Sequence, residues 1–156
     1  MNTPDRTPSE HSGFQPTAVD LRDYVDFDLD AVTDRRVFAT DVVAIDLVCL
    51  EPHQVMEARE FATADAVYTV LGGIAWVVTD DAEVTIQALQ SVMIPAGVVH
   101  GLRNNSADPL ILQVVVSPPD EAPPAKPGPA AEPAPNVGTP PRQGMLDRLR
   151  KGLTGR

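Results

Sequence analysis

Short runs of β-branched and apolar residues dominate the segment from residue 37 to residue 117. The runs include "VVAIDLVCL", "AVYTVL", "IAWVVT" and "LILQVVV". The turn signals between runs include Gly72-Gly73, Asp80-Asp81 and Asn104-Asn105-Ser106. Val, Ile and Thr fit a pleated, half-buried strand, whereas Gly, Asp and Asn mark turns. Because no long helical pattern separates the runs, the sequence predicts an all-β barrel or sandwich of antiparallel strands.

Composition divides the rest of the chain into four segments. Residues 1–18 are rich in Pro, Ser and Thr, and they predict a disordered arm that cannot bury enough apolar surface to offset its ordering entropy. Residues 19–36 mix helical and period-two spacing, which predicts a short helix or edge segment lying on the core. Residues 118–141 are rich in Pro and Ala, which favours an extended polyproline II linker. Residues 142–156 return to a helical pattern.

This last segment, residues 142–156, combines an apolar stripe with a basic face. Its five basic residues and one acidic residue give a net charge of +4. A short amphipathic helix is marginal alone, so we expect it to dock onto a partner protein such as a scaffold or shell. The alternatives are an anionic membrane or nucleic acid, and a soluble tail without a partner. The residues expected to make the docking contact are Met145, Leu146, Leu149, Leu153, Arg148, Arg150 and Lys151.

Net charge and cysteine content indicate which partners and which cellular compartment to expect. The formal net charge of -10 argues against nucleic acid binding by the barrel, because a phosphate-binding surface needs clustered Lys and Arg. Cys49 is the single cysteine, so no disulfide can form within the chain. The N-terminal 20 residues lack the apolar region of a secretory signal, and no apolar run approaches the roughly 20 residues that span a bilayer. We therefore expect a cytoplasmic protein without a membrane partner.

Four residues of the predicted barrel share a recognisable spacing. Pro95, Gly97, His100 and Asn104 follow the pattern Pro-x-Gly, two residues, His, three residues, Asn. This pattern resembles the second motif of the cupin family, and "VYTVLGG" at residues 67–73 resembles the strand and turn that close the first motif. The resemblance spans roughly residues 37–117 and implies a double-stranded β-helix, the jelly-roll barrel of cupins. It also implies a homodimer, because cupins are usually dimeric.

The resemblance fails where cupins usually hold their metal ion. The first motif normally supplies two histidines and a glutamate, and Arg59, Phe61 and Ala66 occupy those places here. A divalent ion needs several converging nitrogen or oxygen donors, and His100 alone does not provide them. We therefore predict no cofactor and a barrel that binds a small organic molecule without catalysis. The candidate pocket residues are His100, Arg59, Tyr68, Trp76 and Asn104.

A divergent metal enzyme is the alternative interpretation. His53 and Glu57 lie in the loop before the first motif, and a shift of register would bring them towards His100. These three residues would hold a single divalent transition metal, as in a cupin oxygenase or isomerase. Against this alternative, ligands on an inward-facing strand recur at every second residue, and His53 and Glu57 do not share that parity with Glu60, the third donor of this loop.

Overall fold

The computed structural model describes residues 16–127, and these form two sheets, antiparallel except for one short edge strand, that face each other across an apolar core. The strands are β1 (Thr33–Ala39), β2 (Ala44–Leu50), β3 (Val55–Arg59), β4 (Asp65–Gly72), β5 (Ile74–Thr79), β6 (Glu83–Gln87), β7 (Ser91–Ile94), β8 (His100–Arg103), β9 (Leu110–Ser117) and β10 (Lys126–Pro127). One sheet has the order β10-β1-β2-β9-β4-β7 and the other has the order β3-β8-β5-β6. The two remaining elements are 3₁₀ turns, Leu21–Tyr24 and Pro119–Glu121.

Alternation along the strands directs one face of each sheet into the barrel. In β9 every second residue is buried, from Leu110 to Val116, as expected for a strand with one face in the core. Strand β2 is buried on both faces: Val48 and Leu50 belong to the barrel core, while Leu47 and Cys49 pack on the outside against Tyr24. The predicted all-β jelly-roll fold is therefore confirmed.

The segment before the barrel packs on the outer face of β2, where Tyr24 forms a cluster with Leu47 and Cys49. It contains one 3₁₀ turn, begun by Asp20, whose carboxylate accepts a hydrogen bond from the Arg22 backbone N–H at 3.0 Å. The strand β1 then starts at Thr33, before the predicted boundary at residue 37. The start of this strand could not be recognised in the sequence because its inward-facing residues Asp34 and Arg36 are charged. The apolar alternation that identifies strands is therefore missing.

The start of the predicted linker packs against the barrel instead of extending from it. The Glu121 carboxylate accepts hydrogen bonds from the backbone N–H groups of Ala62, Thr63 and Ala64, at 2.9, 2.8 and 3.1 Å. Strand β10 then pairs in parallel with β1. The rest of the predicted linker, the N-terminal arm as far as residue 15 and the helical segment 142–156 lie outside the described residues.

The turn between β4 and β5 requires a glycine at residue 73. Gly73 has a φ of +87°, in the left-handed region that side chains disfavour. A Cβ at this position would lie 2.3 Å from the Pro109 carbonyl oxygen, so the turn packs directly on the backbone that leads into β9. Across residues 16–127 we find no helix long and apolar enough to cross a membrane.

Candidate functional site

The barrel interior contains a hydrogen-bonded histidine and tyrosine. Tyr68 on β4 is 0% exposed and His100 on β8 is 1% exposed. The Tyr68 hydroxyl lies 2.7 Å from Nε2 of His100, and Nδ1 of His100 lies 3.0 Å from the Val98 carbonyl oxygen. Because a carbonyl can only accept, Nδ1 carries the proton and the Tyr68 hydroxyl donates to Nε2. These two bonds fix a neutral imidazole in one tautomer and one orientation.

Burial keeps both groups neutral, and the charge of Arg59 adds to this effect at His100. Burial lowers the pKa of His100, the Val98 hydrogen bond opposes that shift, and the positive charge of Arg59 lowers the pKa further. Burial raises the pKa of Tyr68 to about 12, against a smaller opposing effect of the Arg59 charge. The pair therefore offers dipoles and hydrogen bonds at neutral pH, but no net charge.

Phe61 forms an apolar wall beside the histidine. Its ring centroid lies 5.9 Å from that of His100, and the Tyr68 ring lies 5.3 Å from His100 in an edge-on arrangement. The Phe61 carbonyl oxygen accepts a hydrogen bond of 2.7 Å from Gly97 N–H, which joins this wall to the Pro-x-Gly turn. The motif turn thus positions both sides of the histidine.

Strands β1 and β2 place a second polar group in the interior. Arg36 and Asp46 are register partners that form a two-point ion pair, in which Arg36 Nη2 lies 3.2 Å from Asp46 Oδ2. Asp34 lies two residues earlier on β1, and its Oδ1 is buried without a hydrogen-bond partner among residues 16–127. Burial and, to a smaller extent, the negative charge of Asp46 raise the pKa of Asp34 to about 7 against the opposing charges of Arg59 and Arg36.

Arg59 lies at the end of β3, where it is the register partner of His100. Its positive charge acts to lower the pKa of Asp34, Tyr68 and His100. Within the described part of the chain the Arg59 side chain makes no hydrogen bond and no ion pair. A half-buried guanidinium with unused donors is therefore available at this end of the barrel.

Three of the five predicted pocket residues come together here, namely His100, Arg59 and Tyr68. Trp76 does not, because it alternates with the buried Ala75 and Val77 and so faces outward from β5, with the Arg103 guanidinium 6.0 Å from its ring centroid. There it lines an outer groove of about 230 Å³.

Asn104 is buried, but the turn after β8 uses all of its hydrogen-bonding groups. Its side-chain amide donates to the carbonyl oxygens of Leu50 at 3.3 Å and Asp108 at 2.8 Å. Its Oδ1 accepts from the backbone N–H and the hydroxyl of Ser106. Asn104 therefore organises the loop before β9, and no polar atom of its side chain remains for a ligand.

The donor set around His100 does not fit the metal ion that cupins usually hold. Phe61 and Ala66 offer no ligand atom, and Arg59 adds a positive charge where a cation would sit. His53 and Glu57 of the alternative site are exposed, whereas His100 is buried. Among residues 16–127 no group of three or more His, Cys, Asp or Glu side chains is arranged to hold a metal ion.

Sequence reasoning missed Asp34, Arg36 and Asp46. A signal was present for Asp46, which stands alone within the apolar run "VVAIDLVCL". A charged residue at an inward position of such a run is costly unless it is paired, so its presence indicates a buried partner. The partner itself, Arg36, is identified only by the pairing of β1 with β2.

Comparison with known proteins places this barrel in a family. The family model described as "Cupin domain" matches residues 46–117. The protein TT1209 from Thermus thermophilus has a similar structure, with a TM-score of 0.62 and 30% sequence identity over 65% of this chain and 96% of that chain. An uncharacterized conserved protein with a double-stranded β-helix domain from Klebsiella pneumoniae gives a TM-score of 0.64 at 20% identity, over 68% of this chain and 93% of that one.

A cupin superfamily protein, DSY2733 from Desulfitobacterium hafniense, gives a TM-score of 0.58 at 18% identity and covers 66% of this chain and 92% of that chain. No curated protein matches the sequence. The motif around His100, the double-stranded β-helix and the family match agree. This chain therefore carries a cupin domain and belongs to the cupin family.

Proposed function

We propose that the barrel binds a small organic molecule without a metal ion and without catalysing a reaction, at a site formed by His100, Tyr68 and Arg59. The observation that carries this proposal is the unpaired Arg59 guanidinium beside a buried, neutral imidazole and phenol. A cation with unused donors favours a ligand that brings an acceptor or a negative charge. The Phe61 ring supplies an apolar wall for the body of the ligand.

A ligand screen on ¹⁵N-labelled protein tests this proposal. We expect bound compounds to shift the ring signals of His100 and the backbone amide of Arg59, and the Arg59→Ala variant to lose these shifts. Arg103→Ala is the matched control, because the Arg103 side chain lies against Trp76 on the outer face of the same sheet. A screen in which hits shift the Trp76 face and leave His100 unmoved would contradict the proposed site.

Elemental analysis tests the metal-free part of the proposal. Protein purified without a chelator is expected to contain far less than one equivalent of iron, manganese, nickel, copper or zinc. Near-stoichiometric metal that disappears in His100→Ala would instead support the divergent oxygenase or isomerase, with His53 and Glu57 as the other ligands to test.

We further propose that the chain is a homodimer and that residues 142–156 dock onto a partner protein. The support for docking is the sequence alone: a stripe of Met and Leu beside a basic face, with a net charge of +4. Analytical ultracentrifugation tests the dimer. For the tail, a pull-down should lose the captured protein when residues 142–156 are deleted, while the barrel melts at the same temperature; capture by the deleted protein would overturn the docking proposal.

A further inference from the structure

Two groups at the proposed site lack a hydrogen-bond partner: one is a donor and the other is an acceptor. The Arg59 guanidinium has donors and no acceptor among residues 16–127. Asp34 Oδ1 is buried and has no donor in the same part of the chain. A buried polar atom without a partner costs free energy, so a ligand that supplies the missing partner gains affinity. The ligand that satisfies both groups brings an anion and a hydrogen-bond donor.

We propose that the ligand of the barrel is a small hydroxy acid, whose carboxylate binds Arg59 and whose hydroxyl donates a hydrogen bond to Asp34 Oδ1. This inference rests on the proposed small-molecule binding and names the chemical class of the ligand. A carboxylate matches the planar fork of a guanidinium. An aliphatic hydroxyl is a hydrogen-bond donor without a net charge.

The protonation state of Asp34 decides which ligand group it can bind. Five groups surround it: Asp46 on β2, Arg36 on its own strand, Arg59 on β3, Tyr68 on β4 and, next to Tyr68, His100 on β8. Asp46 makes a two-point contact with Arg36, and burial together with the negative charge of Asp46 raises the pKa of Asp34 to about 7. Below about pH 7 Asp34 is therefore protonated, and Oδ1, which has no partner among residues 16–127, can accept a hydrogen bond from a ligand hydroxyl.

The proton on Asp34 also makes the site compatible with an anion. A neutral Asp34 does not repel a carboxylate, whereas an ionised Asp34 beside Asp46 would place two negative charges near the one free cation of the described cluster, Arg59. Binding of the hydroxy acid should thus weaken as the pH rises above about 7, the pKa of Asp34. A ligand that binds only Arg59 from the solvent side would show much less of this dependence.

Three small probes separate the parts of the proposal. Lactate carries both groups, propionate lacks the hydroxyl and lactamide lacks the charge. NMR titration of ¹⁵N-labelled protein at pH 6 should give a dissociation constant for lactate about tenfold or more below those of the other two, because one hydrogen bond to a buried or charged partner is worth about that factor. Inorganic phosphate is the fourth probe, since a guanidinium also binds it.

Two substitutions locate the contacts. Arg59→Ala should remove lactate and propionate binding alike, with Arg103→Ala unchanged as the control. Asp34→Asn keeps an acceptor oxygen and removes the titration, so lactate binding should persist and become independent of pH between about 6 and 8. Asp34→Ala should bind lactate no better than propionate. A folded spectrum of each variant is required for the comparison.

The outcomes distinguish failure of this inference from failure of the proposed function. Equal affinity for lactate and propionate, or tighter binding of phosphate than of lactate, would overturn the hydroxy-acid assignment and leave small-molecule binding standing. Binding of unrelated neutral compounds at His100, with no response to any of the four probes, would do the same. No shift at His100 or Arg59 with any compound would overturn both.

Discussion

The hydroxyl of Tyr68 on β4 and Nε2 of His100 on β8 lie 2.7 Å apart, and this bond joins the two sheets of the barrel through its interior. In a metal-binding cupin a histidine at this place would direct a nitrogen at the ion. Here the Tyr68 hydroxyl is hydrogen-bonded to Nε2, and the Val98 carbonyl oxygen is hydrogen-bonded to Nδ1. The family histidine has thus become part of a fixed, neutral hydrogen-bond chain.

Replacing Tyr68 by phenylalanine tests this chain. The variant leaves Nε2 of His100 without its donor, so we expect the free energy of unfolding to fall by about 1–3 kcal/mol, the cost of an unsatisfied buried polar group. The pKa of His100 should rise, because the lost bond favoured the neutral ring. Urea denaturation and the pH titration of the His100 ring signal by NMR measure the two effects.

The control for Tyr68→Phe is Thr69→Ala, which removes an exposed hydrogen bond to Ser91 from the same strand. This control should cost less than about 1 kcal/mol. A Tyr68→Phe protein with unchanged stability and an unchanged His100 titration would show that the bond has no role.

Asp34 should make the protein less stable as the pH rises. Its pKa is about 7 in the folded barrel against an ordinary value of 3.8, so the folded state holds a proton that the unfolded state releases between these two pH values. Stability from this group is therefore fully present below about pH 4 and is lost as the pH rises through about 7. Asp34→Asn keeps the neutral form, so its free energy of unfolding should match that of the unchanged protein at about pH 4 and exceed it by about 1–3 kcal/mol at about pH 8.

The control for Asp34→Asn is Asp81→Asn, which alters an exposed aspartate in the turn between β5 and β6. It should shift stability equally at both pH values. An Asp34→Asn protein that is less stable than the unchanged protein at the higher pH would mean that the Asp34 carboxylate is ionised and paired.

The sequence predicted the barrel well and its polar interior poorly, for a physical reason. Strands such as β9 are identified easily because every second residue is apolar. Strand β1 is not, since Asp34 and Arg36 occupy its inward positions, and only pairing with β2 brings Arg36 to Asp46. His100 was identified through its motif, but which groups surround it depends on contacts between distant strands. The same reasoning included Trp76 in the pocket, although alternation with its buried neighbours on β5 directs it outward.

The glycine of the first motif should be indispensable for a reason unrelated to metal binding. At Gly73 a Cβ meets the Pro109 carbonyl oxygen at 2.3 Å, in addition to the strain of a positive φ. Gly97 has a similar φ of +83° but nothing within 4 Å of its Cβ position. We expect Gly97→Ala to cost about 1–2 kcal/mol for the strained backbone alone. Gly73→Ala should cost clearly more, or prevent folding, as measured by thermal and urea denaturation. Equal losses in the two variants would show that the contact with Pro109 is relieved without cost.

Glu121 should hold the segment that follows the barrel. Its carboxylate accepts hydrogen bonds from three consecutive backbone N–H groups, Ala62 to Ala64, and the Thr63 bond is the largest of the effects that lower its pKa. In Glu121→Ala these N–H groups lose their acceptor, so their hydrogen exchange should become faster. The change should be about tenfold or more if each lost bond carries an ordinary share of local stability.

The control for Glu121→Ala is Asp120→Ala, which changes the neighbouring exposed carboxylate and should leave that exchange unchanged. Because the loop from Ala62 to Ala64 directly follows Phe61, the exchange experiment also reports whether the wall beside His100 loosens. Slow exchange retained in Glu121→Ala would mean that other groups fix the loop. The segment from residue 118 to residue 127 would then be held by its pairing with β1.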